Sequence, residues 1–325
     1  MIREPVVTRS AALAVSLVWV SLAACAPHVE DRSLRRKDPE VQWEAEFKRA
    51  QRFEGGGMFE LAERRYRQAL RIAEIFPQGD DRMIRTRYAL ADLFTVAGRI
   101  DEAEAEYKEV IRVQRRAYGK RNEAIADSLN RLGVLYLDHV DAEKAGALFE
   151  EALSIRLEVY GEDNPATVAS MQNLASVHHH TGHREEAEAL YLRALEVYAD
   201  GGEQYYGASS VVQNNLALLY RSMGRGSEAE GLHLNAIDLS VEVNGPKNPN
   251  VAIFSRDLAM LYGEQARYDE ADGYFRTAMK LFIVNYGPNH REVRQTYMNY
   301  GTMLADAGRR PEAEHFFARA RGIGE

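Results

Sequence analysis

The stretch AEALYLRA, residues 187–194, contains the pattern that decides the fold of this chain. Its alanine at 187 is followed four residues later by an aromatic side chain and seven residues later by a second small residue. This segment recurs seven times, in steps of 41 residues once and 42 residues five times, beginning at Ala62, Ala103, Ala145, Ala187, Ala229, Ala271 and Ala313. Because residues three and four apart share one face of an α-helix, each copy predicts the buried side of a helix.

A second recurring spacing lies on the N-terminal side of each copy. Twelve residues before the anchor alanine stands a small residue, namely Ala50, Ala91, Gly133, Ala175, Ala217, Ala259 or Gly301. Two helices approach to about 8–10 Å only where their contact residues are small, and aromatic side chains then fill the remaining space. The period therefore predicts an all-α chain of seven helix pairs.

This arrangement of small and aromatic residues resembles the tetratricopeptide repeat. The segments YGEDNPATV at 160–168, NGPKNPNVA at 244–252 and YGPNHREV at 286–293 resemble the long repeats of kinesin light chains and their bacterial relatives. The resemblance covers roughly residues 42–321. It implies a tetratricopeptide-repeat superhelical solenoid of seven helix pairs over residues 41–325. Arg321, charged where the other repeats are apolar, is expected to cap the last pair.

Glycines and polar residues indicate where the helices of each pair end and begin. Gly57, Gly98, Gly182, Gly224 and Gly308 stand where the first helix of a pair must stop, and Val140 and Ala266 are the exceptions. A glycine there supplies the left-handed backbone of a C-cap. Asp101, Ser227 and Asp269 are predicted to cap the second helices, and Pro311 fits the first position of the last helix.

The N-terminus carries an export signal. Arg3 and Arg9 precede an apolar run at residues 11–24, which is typical of a secretory signal peptide and too short to cross a bilayer. The run ends in Leu-Ala-Ala-Cys, which resembles the lipobox of bacterial lipoproteins, where the cysteine is acylated. We therefore expect a signal peptide at 1–24 and a lipidated Cys25 with a flexible tether to residue 40. The alternative is an ordinary signal peptide cleaved after Ala26.

The lipobox implies a place in the cell. Several acyl chains on one cysteine hold a protein on a membrane almost permanently. Ala26 follows the cysteine where an aspartate would indicate retention in the inner membrane. The expected location is the outer membrane, facing the periplasm, in a host with two membranes.

Charge and composition exclude several classes of function. The net charge is −8 with a pI near 5.7, and no basic block stands out in the body of the chain, which argues against nucleic acid as a partner. Cys25 is the only cysteine, so no intrachain disulfide can form. The sequence has no glycine-rich phosphate loop, nucleophile elbow or paired carboxylates, so neither an enzyme nor a cofactor is predicted.

The first helix of each pair has a side opposite to the one that packs against its partner helix. With the anchor alanine as position 20 and about 100° per residue, positions 2, 6, 9 and 13 lie opposite the packed positions. The resemblance places this side on the concave surface of the solenoid. The residues predicted to line a partner-binding groove there are Arg131, Asn173, Val211, Asn215, Leu218, Ile253, Asp257, Met260 and Asn299.

The composition of this side favours peptide binding. An asparagine amide both donates and accepts, so a row of amides can pair with the backbone of an extended segment, while apolar neighbours contact its side chains. Arg131 could select an acidic partner. We therefore predict a membrane-anchored scaffold or adaptor that binds another protein or peptide segment. The alternative is a solvated helix face on which asparagine is tolerated.

A histidine cluster supports a second hypothesis. His178 occupies the packed aromatic position of its repeat, and His179, His180 and His183 surround the following turn. Histidine is a common transition-metal ligand and titrates near neutral pH. The alternative functions are therefore a metal- or pH-dependent factor that uses residues 178–183, or a self-associating structural protein. Consecutive helical residues point in different directions, which argues against a closed metal site.

Overall fold

The computed structural model describes residues 38–322, which form fourteen α-helices in consecutive pairs and contain no β-strand. This confirms the predicted all-α fold of seven helix pairs. The predicted signal peptide, Cys25 and the tether up to residue 37 lie outside the described residues. None of the helices in the described part is both long and apolar enough to span a bilayer.

Two compact units make up the described residues, 38–162 and 163–322, here named the N-terminal unit and the C-terminal unit. The helices of the N-terminal unit are α1 Pro39–Gly55, α2 Phe59–Ala73, α3 Asp81–Val96, α4 Ile100–Tyr118, α5 Glu123–His139 and α6 Ala142–Tyr160. The helices of the C-terminal unit are α7 Pro165–Thr181, α8 Arg184–Gly201, α9 Tyr206–Ser222, α10 Gly226–Asn244, α11 Pro249–Glu264, α12 Tyr268–Tyr286, α13 Arg291–Asp306 and α14 Arg310–Gly322. A short 3-10 helix at Glu203–Tyr205 precedes α9.

The repeated small residues form the contacts within each pair. The anchor alanines from Ala62 to Ala271 are fully buried, and Ala313 is 2% exposed. At Gly133 on α5, an added Cβ atom would lie 2.5 Å from the ring of Phe149 on α6, so only glycine fits beside this ring. The tight approach of the two helices thus depends on the small residue that the period predicts.

The turns between paired helices follow the glycine prediction with one addition. Gly182 ends α7 with φ of 86°, in the left-handed region, and the other four predicted glycines also have positive φ. Ala266 adopts the same conformation with φ of 57°, although it carries a Cβ atom. Val140 does not, with φ of −128°, and the turn before α6 closes without a left-handed residue.

The predicted N-caps are wrong. The second helices α4, α10 and α12 begin directly after Arg99, Arg225 and Arg267, and no side chain caps their N-termini. Asp101, Ser227 and Asp269 lie inside the first turn instead. Pro311 is likewise the second residue of α14, which begins at Arg310.

Candidate functional site

The first helices of the C-terminal unit lie next to one another. α7 contacts α9, α9 contacts α11, and α11 contacts α13. Their shared surface, here named the first-helix face, is defined by Asn173, Val211, Asn215, Leu218, Ile253, Met260 and Asn299, all half-buried. The structure therefore brings together, within one unit, seven of the nine residues predicted for the groove.

The amides on this face differ in their local partners. Asn299 on α13 donates to the sulfur of Met260 on α11 at 3.2 Å, and it accepts from Gln295 Nε2 at 2.9 Å. The contact with sulfur is weak, so this amide can exchange it for a better acceptor. The side-chain amide of Asn215 on α9 makes no hydrogen bond to any described residue. Both amides can therefore pair with an incoming backbone.

Asp257 differs from the expectation for a groove residue. It is only 7% exposed, and its Oδ2 accepts from Asn214 Nδ2 at 3.1 Å. The guanidinium of Arg256 lies 3.5 Å from Oδ1 and also pairs with Glu292 at 2.6 Å. A buried carboxylate must be paired, so the side chain turns away from the face and into the packing. The first-helix face therefore carries no charged side chain at its defining positions.

A buried histidine extends this polar chain. His233 on α10 is fully buried, and its Nδ1 lies 2.8 Å from Asn214 Oδ1. Because Asn214 donates to Asp257 through Nδ2, its Oδ1 accepts from the His233 Nδ1–H group. Burial lowers the pKa of His233 to about 4, so the ring is neutral near pH 7. His233 stands four residues after the anchor alanine Ala229, where the other six repeats carry an aromatic residue, and this position alone did not reveal the network.

Arg131 lies in the N-terminal unit, on α5. Its guanidinium stands 4.8 Å from the ring centroid of Tyr88 and 3.8 Å from a carboxylate oxygen of Asp92. It is half-buried against α3, so a cation–π contact and an ion pair hold it in place. An acidic partner would have to compete with Asp92 for this arginine.

Two histidines of the cluster at residues 178–183 make hydrogen bonds to neighbouring residues. His180 Nδ1 lies 2.8 Å from the Ser176 carbonyl oxygen, and His183 Nδ1 lies 2.9 Å from Thr181 Oγ1. Burial lowers the pKa of His179, which disfavours its charged form. Across residues 38–322, no group of three or more His, Cys, Asp or Glu side chains is placed to hold a metal ion. The geometry gives the metal hypothesis no support.

A repeated arginine contact was missed at the sequence level. Four residues before the anchor alanine, Arg225, Arg267 and Arg309 each bond to a carboxylate of the preceding pair, at 2.8, 2.6 and 3.2 Å. Each also bonds to a glutamate three residues later in its own helix. Arg99 makes the same two contacts, with Glu63 and Glu102. The regular spacing of Arg, Glu and the following carboxylate could have revealed this link between pairs.

Comparison with known proteins agrees with this architecture. The family model described as tetratricopeptide repeat matches residues 82–145, 140–200, 209–282 and 256–325. No curated protein sequence matches this chain.

Solved structures with the same fold are distant in sequence. BtubC (BKLC) from P. vanneervenii is 23% identical, with 70% of this chain and 90% of that chain covered and a TM-score of 0.56. Kinesin light chain repeats from Podosopora anserina are 19% identical, with 62% and 96% covered and a TM-score of 0.52. A tetratricopeptide repeat protein from Parabacteroides merdae is 18% identical, with 88% and 94% covered and a TM-score of 0.59. On the family match over most of its length, this chain belongs to the tetratricopeptide-repeat family.

Proposed function

We propose that this chain is a membrane-anchored adaptor that holds a partner protein by an extended segment bound on the first-helix face of the C-terminal unit. The observation that carries the proposal is the composition of that face. Its defining residues are half-buried amides and apolar side chains, and the neighbouring carboxylate of Asp257 is buried and paired.

The apolar residues would take the partner's side chains. Val211 and Leu218 lie on α9, and Ile253 and Met260 occupy the equivalent positions on α11. Residues seven apart stand about 10 Å from each other along a helix, so these four residues form two apolar rows between the amides. A contiguous strip of apolar surface on a soluble body is typical of an interaction site. An extended segment can place its backbone against the amides and alternate side chains against these rows.

The anchoring part of the proposal rests on the sequence at residues 1–25. The lipobox at 22–25 supports an acylated Cys25, and Ala26 supports a location on the outer membrane facing the periplasm. An adaptor of this kind needs no catalytic group. A metal- or pH-dependent role for residues 178–183 is less favoured, because the ring nitrogens of His180 and His183 already have local contacts.

Site-specific photocrosslinking in cells tests the binding face. A photoreactive residue at Leu218 should give a discrete adduct, whereas one at Leu192 on α8, which is 43% exposed, should not. The combination of Asn173→Ala, Asn215→Ala and Asn299→Ala should abolish the adduct while the helical content stays the same. Asn244→Ala with Asn289→Ala, two exposed amides away from this face, is the matched control. Adduct formation that survives the triple substitution would contradict the proposed face.

Anchoring is tested separately by metabolic labelling with palmitate. The wild type should incorporate label and stay in the membrane fraction after a salt wash. Cys25→Ser should incorporate none. Equal behaviour of the two chains would contradict acylation at Cys25 and leave the crosslinking result intact.

A further inference from the structure

The contacts of the repeated arginines show that the residue at the start of each second helix is directed towards the preceding helix pair. Arg225 reaches back to Glu188 and Arg267 reaches back to Glu230, each in the preceding pair. The residue four before the anchor alanine therefore points at the pair before it. In the first pair this residue is Met58.

The first pair presents an apolar patch at this edge. Met58, Phe59 and Leu61 are 46%, 37% and 40% exposed. The position of Met58 is an arginine in four of the six later pairs and Asp141 or His183 in the other two, and the position of Leu61 is a glutamate or lysine in all six. No helix pair precedes α1 within residues 38–322. Terminal repeats need a polar outer face for solubility, so three adjacent exposed apolar residues indicate that something covers this edge.

Basic side chains surround the patch. Residues 47–71 contain seven Lys and Arg and three Glu, in a chain whose net charge is −8. Leu61 lines a depression together with Glu46, Arg64, Arg65 and Gln68, and Glu46 pairs with Arg65 at 3.2 Å. Arg52 and Arg64 are exposed and form no ion pair with any described residue. The edge therefore combines apolar side chains with free guanidinium groups.

We propose that this edge, here named the basal edge, docks on an anionic lipid surface. Apolar side chains insert among the acyl chains and arginines pair with phosphates, which is how peripheral elements bind a charged bilayer. The proposal rests on the anchoring described above. The 13 residues between Cys25 and Pro39 reach at most about 45 Å, and α1 is about 25 Å long, so the tether allows the turn after α1 to touch the membrane.

Charge argues against the other two occupants. A second copy stacked on the basal edge through α14 would present the exposed residues Glu314, His315 and Arg321, because the two phenylalanines of α14, Phe316 and Phe317, are half-buried against the core. The apolar run at residues 11–24 of the same chain contains no acidic residue to pair with the arginines. An anionic bilayer supplies both the apolar and the acidic partner.

Hydrogen exchange on the full-length chain in vesicles tests the docking. Exchange at residues 57–62 should slow at least about tenfold on phosphatidylcholine vesicles that contain phosphatidylglycerol, and much less on phosphatidylcholine alone. Phe59→Ser combined with Leu61→Ser should lose this protection. Ile75→Ser removes a more exposed apolar residue of the same pair, 68% exposed, and should keep it.

Three results would overturn the proposal. Exchange at 57–62 that does not respond to phosphatidylglycerol rules out the anionic surface. Protection that appears without vesicles and grows with protein concentration assigns the edge to a second copy, and protection without vesicles at any concentration assigns it to the chain's own N-terminal segment. The Cys25→Ser chain is measured in parallel, because its palmitate labelling reports failed anchoring while exchange at 57–62 reports docking.

Discussion

Positions 2 and 6 of the first helices are mostly charged in the N-terminal unit and mostly uncharged in the C-terminal unit, although both units repeat the same 42-residue pattern. In the N-terminal unit, Arg85 stands 5.3 Å from the Trp43 ring and Arg131 stands 4.8 Å from the Tyr88 ring. In the C-terminal unit, the equivalent positions hold Val211, Asn215 and other uncharged residues. The one carboxylate there, Asp257, is buried.

This difference separates two sets of residues within each repeat. The small and aromatic positions are constrained in both units, because they set the distance between paired helices. The positions on the open side of the first helix make few packing contacts, so their chemistry can change without loss of the fold. The same repeat pattern thus places mostly charged residues at positions 2 and 6 of the first helices in one unit and mostly uncharged residues there in the other.

Substitution of Asp257, the buried carboxylate of the C-terminal unit, should have the largest effect on stability. Asp257→Leu removes the acceptor of Asn214 and one partner of half-buried Arg256, so the free energy of unfolding should fall by about 3 kcal/mol. Urea unfolding with hydrogen exchange at α11 measures this loss. Asn215→Leu, one helix pair earlier at the same repeat position, is the control and should change stability little. Equal effects of the two substitutions would show that Asp257 is an ordinary surface residue.

Acid should destabilise the C-terminal unit through His233. The folded-state pKa is lowered to about 4 from an ordinary value near 6.5, so the stabilisation from the neutral ring is complete above the ordinary value and is lost as the pH falls between these values. The loss should reach about 3 kcal/mol at pH 4. Thermal unfolding from pH 7.5 to 4 should show a smaller acid effect in His233→Phe than in the wild type. Parallel pH profiles for both chains would remove His233 as the cause.

The packing rule should act equally in both units. Gly133→Ala places a Cβ atom 2.5 Å from the Phe149 ring, and Gly301→Ala places one 2.6 Å from the Phe317 ring. Each should lower the free energy of unfolding by about 1–3 kcal/mol. Gly231→Ala, with no atom within 4 Å of the added Cβ, is the matched control and should be neutral or stabilising. A cost in only one unit would mean that this packing rule does not hold in both units.

The smallest expected effect concerns salt. If the partner binds the first-helix face, its Kd should change less than about threefold between low and high salt, because the seven residues that define this face are uncharged. Titration of the crosslinked partner's segment at several NaCl concentrations measures this. A steep salt dependence would instead point to the charged surface of the N-terminal unit, with Arg85 and Arg131 as contacts.

The repeat period determined most of the fold. Ala187, Tyr191 and Ala194 are buried as predicted, because an α-helix turns them to the same side. The candidate face was also largely predictable, since Asn215, Leu218 and Met260 are half-buried on adjacent helices. The N-caps of the second helices were not predictable, because Arg225 and its equivalents stand at that position and bond to a carboxylate of the preceding pair.

The sequence by itself determined the helix pairs, their number and the positions that pack, because these follow from local spacing along one or two helices. Only the tertiary structure decided that Asp257 is buried, that His233 is neutral and that Met58 stands exposed at an edge that no helix pair within residues 38–322 covers. Burial depends on which side chains approach from residues some 20 to 43 positions away, as Asn214 does for both His233 and Asp257. The spacing of residues within one repeat does not predict these contacts between distant residues.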